Sequence, residues 1–451
     1  MVAGKVSAAV PNGIRPDGSG AIWNLEAETM SPEARERLQL ERLQAVVRWA
    51  AARVPFHRER LGAAAPRTLG DLAGLPFVRK TDLREQYPFG LLAVPRDQLA
   101  RVHASSGTKG KPTVVAYTAE DLDVWREVMA RMMTAAGARR GDLLHIAFGY
   151  GLFTGGLGFH DGAERIGMTV VPVSSGNTAR HQLLLQDFRP DAIAATPSFA
   201  LHLAETLAEQ GSAPRELGLR VGMFGAEPWT EGIRAALERA FGLRAFDIYG
   251  LSEIIGPGVA GECEARAGLH LADDHFLPEI VDPVSGAPLP PGREGELVLT
   301  TLTKRAMPLV RYRTGDITTL TLGPCACGRT SARMARIKGR SDDMLVVRGV
   351  NLYPSEVEST LLGMEELVPH YQLVLDRGTT LARLEVQVEP SPELVARCGG
   401  FSAEHPEIVT LRRRAAERLQ RAIGLSIELT IVAPRTIPRA EGKAVRVVER
   451  G

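Results

Sequence analysis

Cysteine is scarce, with four among 451 residues, and two of these stand as Cys325-Ala326-Cys327, too close for an ordinary disulfide. A secreted disulfide scaffold is thereby excluded, and thiol or metal chemistry is the better use for the pair. Long apolar runs are missing too: no stretch approaches the roughly 18 residues of a membrane span. The first twenty residues, broken by Pro11 and Pro16, lack the apolar core of a signal peptide, so a cytoplasmic location is expected. Nor is there an excess of charge of one sign. Lys and Arg number 54 against 53 Asp and Glu, a net charge of +1, which gives no overall field to draw nucleic acid or anionic lipid. Internal repeats and low-complexity tracts are absent. What remains is a globular composition, 44% hydrophobic and 24% charged, long enough for two or three domains without covalent staples.

The chain opens on a small, polar, Gly- and Pro-bearing arm of about twenty residues. Ser31, Pro32 and Glu33 then supply the cap, first-turn proline and acid of a helix start, and Leu40, Leu43, Val47 and Ala50 continue at helical spacing. Further on, short apolar runs at 143–148, 169–173, 192–196, 221–225 and 245–249 alternate with helical stretches at 181–188, 199–209 and 231–241. That alternation predicts a parallel sheet covered by helices on both faces, with ligands bound beyond the carboxyl ends of the strands. From Glu279 to Leu320 the turn signals Asp282-Pro283 and Pro291-Gly292 bracket β-rich runs such as 296–302, as a small antiparallel β subdomain requires. A strand at 381–388, a helix at 408–423 and a strand at 426–432 make a compact α+β unit at the end. The fold class is therefore α/β, with a large N-terminal domain over 1–340 and a small C-terminal α+β domain over 341–451.

Ser105-Ser106-Gly107-Thr108-Lys109-Gly110-Lys111-Pro112-Thr113 concentrates hydroxyls, glycines and lysines as a phosphate cradle would. It is not a Walker A loop, because Lys111 is followed by proline. Taken alone it fits a solvated Gly/Ser turn equally well. Tyr249-Gly250-Leu251-Ser252-Glu253 follows a predicted strand, putting an aromatic face and a carboxylate at the ligand-binding edge; an exposed strand end is the plainer reading of that segment alone. Arg313-Thr314-Gly315-Asp316 offers Asp316 to ribose hydroxyls, or is a turn with an Asp cap. Gly339-Arg340-Ser341-Asp342-Asp343 completes the series. Cys325 and Cys327 look like half of a zinc knuckle, and Cys263 with His270 can complete four ligands of the kind zinc accepts.

Jointly and in this order, these segments resemble the adenylate-forming superfamily of acyl- and aryl-CoA synthetases, adenylation domains and luciferases. The likeness to phenylacetate-CoA ligases is closer, through His103 to Gly107, Tyr150 to Gly156, Tyr249 to Val259, Asp274-His275-Phe276 and Ser341 to Asn351, and it spans nearly the whole chain from about Trp23. The resemblance implies an AMP-forming ligase of aromatic acids and coenzyme A, using ATP and Mg2+. It assigns Ser105, Ser106, Gly107, Thr108, Lys109, Gly110 and Lys111 to the ATP phosphates, although the family more often has threonine where Lys109 stands. Gly225, Ala226 and Glu227 would line the adenine slot, Tyr249 would stack on adenine, and Asp316 and Arg340 would bind ribose. Glu253 would ligate magnesium, Asp342 would be the hinge of the C-terminal domain, and Lys443, within Glu441-Gly442-Lys443, the catalytic lysine. Tyr150, Phe153, Gly156, Ile255, Gly256 and Pro257 neighbour the matched motifs and are candidates for the acid pocket. Asp161 stands where relatives often carry an aromatic residue, which would admit a polar ring. Some phenylacetate-CoA ligase-like proteins carry a structural zinc on a similar Cys/His arrangement, which implies Cys263, His270, Cys325 and Cys327 as its ligands.

The expected partners are the aromatic acid, ATP and coenzyme A, with a carrier-protein thiol as the alternative acceptor and a second copy of the chain as a further candidate partner. A nucleotide-binding regulator with a dead site is the rival from another class, disfavoured by the joint presence of Glu253, Asp316, Asp342 and Lys443. A zinc-dependent nucleic-acid binder is disfavoured by the near-neutral charge.

Overall fold

The computed structural model describes residues 21–105, 112–341, 344–347, 350–376, 383–424, 427–440 and 443–450. Ser106 to Lys111, Asp342, Glu441 and Gly442, all named above, lie outside the described residues. The opening helix runs over Pro32–Arg53, with Pro32 in its first turn and the Ser31 hydroxyl accepting the Ala34 N–H at 3.2 Å. Its Leu43, Val46, Val47 and Ala50 pack on Leu277, Leu302 and Val310.

A hairpin of β1 (Arg101–Ala104) and β2 (Val114–Tyr117) precedes the main sheet. That sheet begins with five parallel strands: β3 (Leu143–Ile146), β4 (Thr169–Val171), β5 (Ala192–Ala195), β6 (Val221–Gly225) and β7 (Arg244–Leu251), in the order β4-β3-β5-β6-β7. Alternate residues serve opposite faces. Leu144, Ile146, Val221, Met223, Phe246 and Ile248 join the core under helices Ala119–Ala135 and Gly155–Ile166. Ile193, Ala195, Phe224 and Ala245 join a second core under helices Thr178–Phe188, Pro197–Glu209 and Glu231–Phe241. Each large apolar side chain so buried contributes about 1.5–3 kcal/mol, and this double burial explains why the strands read as near-continuous apolar runs.

The sheet is mixed rather than purely parallel. It continues antiparallel from β7 through β8 (Gly256–Glu262), β9 (Leu269–Leu271), and later β14 (Arg333–Met334) and β13 (Leu320–Thr321), nine strands in all. The β8 pattern is hidden in sequence because it starts Gly256-Pro257-Gly258, which reads as a breaker. Its close approach to β7 depends on Gly250, where a Cβ would stand 2.0 Å from the Gly256 carbonyl oxygen.

The small antiparallel sheet is β10 (Phe276–Val281), β11 (Gly295–Thr301), β12 (Tyr312–Thr318) and β15 (Gly339–Arg340), in that order. Beyond it come a hairpin of β16 (Leu345–Val347) and β17 (Val350–Leu352), then a sheet β20-β19-β18-β21 formed by β18 (Leu367–Asp376), β19 (Arg383–Pro390), β20 (Glu428–Ile431) and β21 (Val447–Arg450). Helices Pro354–Leu361 and Pro406–Ile423 cover this sheet, and Leu373, Val386, Ile408, Leu411 and Leu419 belong to a core of its own.

Candidate active site

A cavity of about 430 Å³ opens beyond the carboxyl ends of β6 and β7. Gly225 closes β6 where a Cβ would stand 2.2 Å from the Ile248 carbonyl oxygen, so no side chain fits there. The next residue, Ala226, holds φ +69°, a left-handed conformation that costs a non-glycine residue about 1–3 kcal/mol and is concentrated at functional sites. Together the tight approach and the strained step turn Glu227 into the cavity wall.

Tyr249, at the end of β7, donates its hydroxyl to Asp316 Oδ2 at 2.6 Å, and Arg340 Nη1 stands 3.3 Å from the other carboxylate oxygen. The β12–β15 register sets Asp316 directly opposite Arg340. Burial, reinforced by the Asp316 charge, pushes the Tyr249 phenol above its usual range. All three residues line the cavity, as do Ser105 and Glu253. Ser105 closes the base of its loop by donating its N–H to the Thr113 carbonyl at 2.9 Å. Glu253 is buried and meets Lys80 Nζ at 3.1 Å.

Lys443 comes from the far end of the chain and lines the same cavity, its Nζ 5.7 Å from the Phe153 ring centroid. The neighbouring Ala444 N–H donates to Glu227 Oε2 at 2.9 Å, tying this segment to the wall. Burial lowers the Lys443 ammonium from its usual lysine range; Lys80 and Arg340 push the same way, opposed by Glu227 and Glu253.

Of the six acid-pocket candidates, Phe153 and Pro257 line the cavity and four do not. Tyr150 turns its hydroxyl to His160 Nδ1 at 3.2 Å, Gly156 packs on the Gly149 and Phe148 carbonyls, Ile255 is buried in the main core, and Gly256 abuts Trp125. Asp161 is likewise spent, its carboxylate accepting from Arg101 Nη1 at 2.7 Å. Phe148 and Phe159, stacked at 5.2 Å, add apolar wall to the cavity, and alternation and motif spacing did not single them out. Lys80, Trp229 and Arg336 also line it unforeseen; they come from segments with no motif of their own, and only the spatial meeting with Glu253 or the β6 end gives them away.

Away from this cavity, Cys263, His270, Cys325 and Cys327 are buried with one ligand atom each, all within 4.8 Å of one another. Cys263 Sγ lies 3.8 Å from Cys325 Sγ, and Cys327 Sγ lies 3.4 Å from His270 Nε2. A tetrahedral ion with metal–sulfur bonds of about 2.3 Å and metal–nitrogen bonds of about 2.0–2.1 Å needs edges of about 3.8 and 3.5 Å. His270 Nδ1 is 3.1 Å from the Ser331 hydroxyl, an outer partner that leaves Nε2 free to face the thiols. Hydrogen bonding from Cys263, and from His270, holds the Cys327 thiol far below its usual value, while the same contact pushes Cys263 up. The donor set fits zinc.

The AMP-binding enzyme family profile matches residues 26–302, and the AMP-binding enzyme C-terminal domain profile matches residues 349–450. A phenylacetate-coenzyme A ligase of Thermus thermophilus is 53% identical over 440 residues, covering 95% of this chain and 99% of that protein. A crystal structure of 2-hydroxyisobutyryl-CoA ligase in its postadenylation state, 32% identical, superposes with a TM-score of 0.89 over 98% of this chain and 94% of that one. The same ligase in its thioesterification state, with 2-HIB-AMP and CoA, is 33% identical and gives 0.71 over the same shares. Among the described residues, no helix is long and apolar enough to cross a membrane.

Proposed function

The chain belongs to the phenylacetate-coenzyme A ligases of the AMP-binding enzyme family, and we propose that its own acid substrate is phenylacetate or a closely related aromatic carboxylate. It is an AMP-forming acid–CoA ligase. The observation that carries the choice of acid is one cavity whose lining joins two unlike sets of residues, the polar Tyr249, Asp316, Arg340 and Glu227 and the apolar Phe148, Phe153, Phe159 and Pro257.

In the first half-reaction the acid's carboxylate attacks the α-phosphorus of ATP, an aryl-adenylate mixed anhydride forms, and pyrophosphate leaves. Gly225, Ala226 and Glu227 border the adenine, Tyr249 stacks on it, and Asp316 with Arg340 holds the ribose. Ser105 with the loop from Ser106 to Lys111 cradles the phosphates. Lys443 places its cation between the carboxylate and the α-phosphate, where negative charge accumulates in the transition state. Glu253 would hold the Mg2+ that accompanies ATP, an ion that would neutralise phosphate charge. In the second half-reaction the C-terminal domain turns about Asp342, Lys443 withdraws, and the coenzyme A thiol attacks the activated carbonyl, expelling AMP. The thiol is nucleophilic enough to need no stronger base.

The Cys263, His270, Cys325 and Cys327 cluster would hold one structural zinc, its four protein ligands leaving no open position for catalysis. The enzyme acts in the cytoplasm, where ATP and coenzyme A are made available. A carrier-protein thiol remains the alternative acceptor, since it presents the same pantetheine arm.

Pyrophosphate exchange across a panel of aromatic and aliphatic acids, followed by thioester detection with free coenzyme A, tests the reading. Exchange with phenylacetate and thioester formation are expected. Preference for short aliphatic acids, or adenylation without transfer to free coenzyme A, overturns it.

A further inference from the structure

Lys443 has to be carried into the cavity by a segment whose seating involves residues outside the motifs. Among the described residues, four hydrogen bonds or ion pairs join that segment to the large domain. Arg435 pairs with Glu209, Arg439 Nε meets Glu205 Oε2 at 3.1 Å, Ala444 N–H meets Glu227 Oε2, and Arg446 Nη2 lies 3.5 Å from the Ser198 hydroxyl. Three of the four large-domain partners lie on one helix, Pro197–Glu209.

These contacts are not equivalent. The Arg435–Glu209 pair is exposed on both sides, 45% and 55%, the kind of surface pair worth little. Arg439 is different, because it is fixed before it meets the large domain. Its two terminal nitrogens donate to both oxygens of the fully buried Glu389 at 2.9 and 2.8 Å. Glu389 also accepts the Arg435 and Ile437 backbone N–H groups at 2.9 and 2.8 Å, so one carboxylate shapes the approach to Lys443. With its terminal nitrogens held on Glu389, Arg439 turns its Nε to Glu205. Glu205 Oε1 lies 2.5 Å from His370 Nε2 on β18, so a second element of the C-terminal unit converges on the same carboxylate. His370 and Arg439 together hold the Glu205 carboxyl below its usual range although burial works against them.

We propose that Glu205 is a positioning residue of the adenylation half-reaction: by receiving His370 and the preformed Arg439–Glu389 pair, it seats the Lys443 segment over the cavity. The proposal rests on the reading of function given above. It follows that Glu205 acts through Lys443 and only while Lys443 is in place, and that its contacts must break before the thiol step. A helix residue with no substrate contact thus governs one half-reaction and not the other.

Glu205→Ala and Glu205→Gln suit the test, because Arg439 keeps its buried partner Glu389. Pyrophosphate exchange with phenylacetate should fall about tenfold, as when one charge-assisted contact to a catalytic segment is lost. Transfer from supplied phenylacetyl-adenylate to coenzyme A should be no slower than in the unaltered enzyme. In a Lys443→Ala background, Glu205→Ala should lower single-turnover adenylate formation no further, since the two act as a unit. His370→Asn should repeat the Glu205 pattern more weakly, and Glu209→Ala should leave exchange within about twofold. Equal slowing of both half-reactions, unchanged exchange in both Glu205 variants, or full additivity with Lys443→Ala overturns the proposal. Absence of exchange in the unaltered enzyme overturns the functional reading instead. Thermal melting of each variant identifies a folding defect, in which case His370→Asn decides alone.

Discussion

Replacing Lys443 by alanine separates the two half-reactions most sharply. The ammonium stands 5.7 Å from the Phe153 ring centroid and lines the cavity together with Glu253 and Arg340, so its charge acts across a cleft less screening than bulk water. Two unit charges about 4 Å apart at an effective dielectric constant of about 20 interact by about 4 kcal/mol. Removing that attraction from the adenylation transition state costs about a thousandfold in rate. Pyrophosphate exchange in Lys443→Ala should fall by about that factor, whereas transfer from supplied aryl-adenylate to coenzyme A should stay near the unaltered rate. The pH profile supplies a second readout. Because burial lowers the Lys443 pKa, the cation is lost as pH rises through a value below that of an ordinary lysine, near 10.4. Adenylation should therefore decline early on the alkaline side, and Lys443→Arg, which stays charged, should remove that decline from whatever activity it keeps. Equal loss of both steps in folded Lys443→Ala would refute the argument.

Elemental analysis of protein purified without added metal should find about one zinc per chain, and Cys325→Ser with Cys327→Ser should lose it and melt at lower temperature. Asp342→Pro should leave pyrophosphate exchange largely intact while slowing thioester formation, a split read by assaying each half-reaction separately. Buried His145 and His181, 2.7 Å apart, have pKa values lowered by burial to about 3 and about 4. Both lie below the unfolded value near 6.5, so their contribution to stability is complete above pH 6.5 and is lost as pH falls toward 4. Denaturant titrations over that window should give a slope flatter by up to about 1.4 kcal/mol per pH unit for each histidine removed in His145→Gln with His181→Gln. Asp247, raised to about 8 by burial, titrates in the opposite sense and offsets part of this loss in the unaltered protein.

Elements with a strong local pattern were legible from sequence: the helix over Glu231–Phe241 and the strand over Val221–Gly225 stand where the alternation put them. Strand β8 was not, because glycine and proline at its start serve a tight approach to β7 rather than a turn. The site shows the same division. Tyr249 and Glu253 belong to a recognisable strand-end run, whereas the segment around Asp316 reads as a turn and is part of strand β12; all three line the cavity. Phe148 and Phe159 do as well, but each reads as ordinary core, since a pocket wall and a core side chain have the same composition. Lys80 and Glu205 carry no local signal whatever; each acquires meaning only from a partner far away in the chain, Glu253 in one case and Arg439 in the other.

The Cys/His cluster also imposes an order on synthesis. Cys263 leaves β8, His270 lies in β9, and Cys325 and Cys327 follow β13, so the four donors are complete only after the chain has been made through residue 327. By then all five parallel strands and their covering helices have emerged and, as N-terminal units generally do, can fold first. An ion captured there, as proposed above, would fasten the late antiparallel margin to a sheet already standing. Cells starved of zinc should therefore accumulate chains with an intact parallel half and a loose margin, recognisable by protease cuts that cluster between residues 263 and 335 and spare the strands before them.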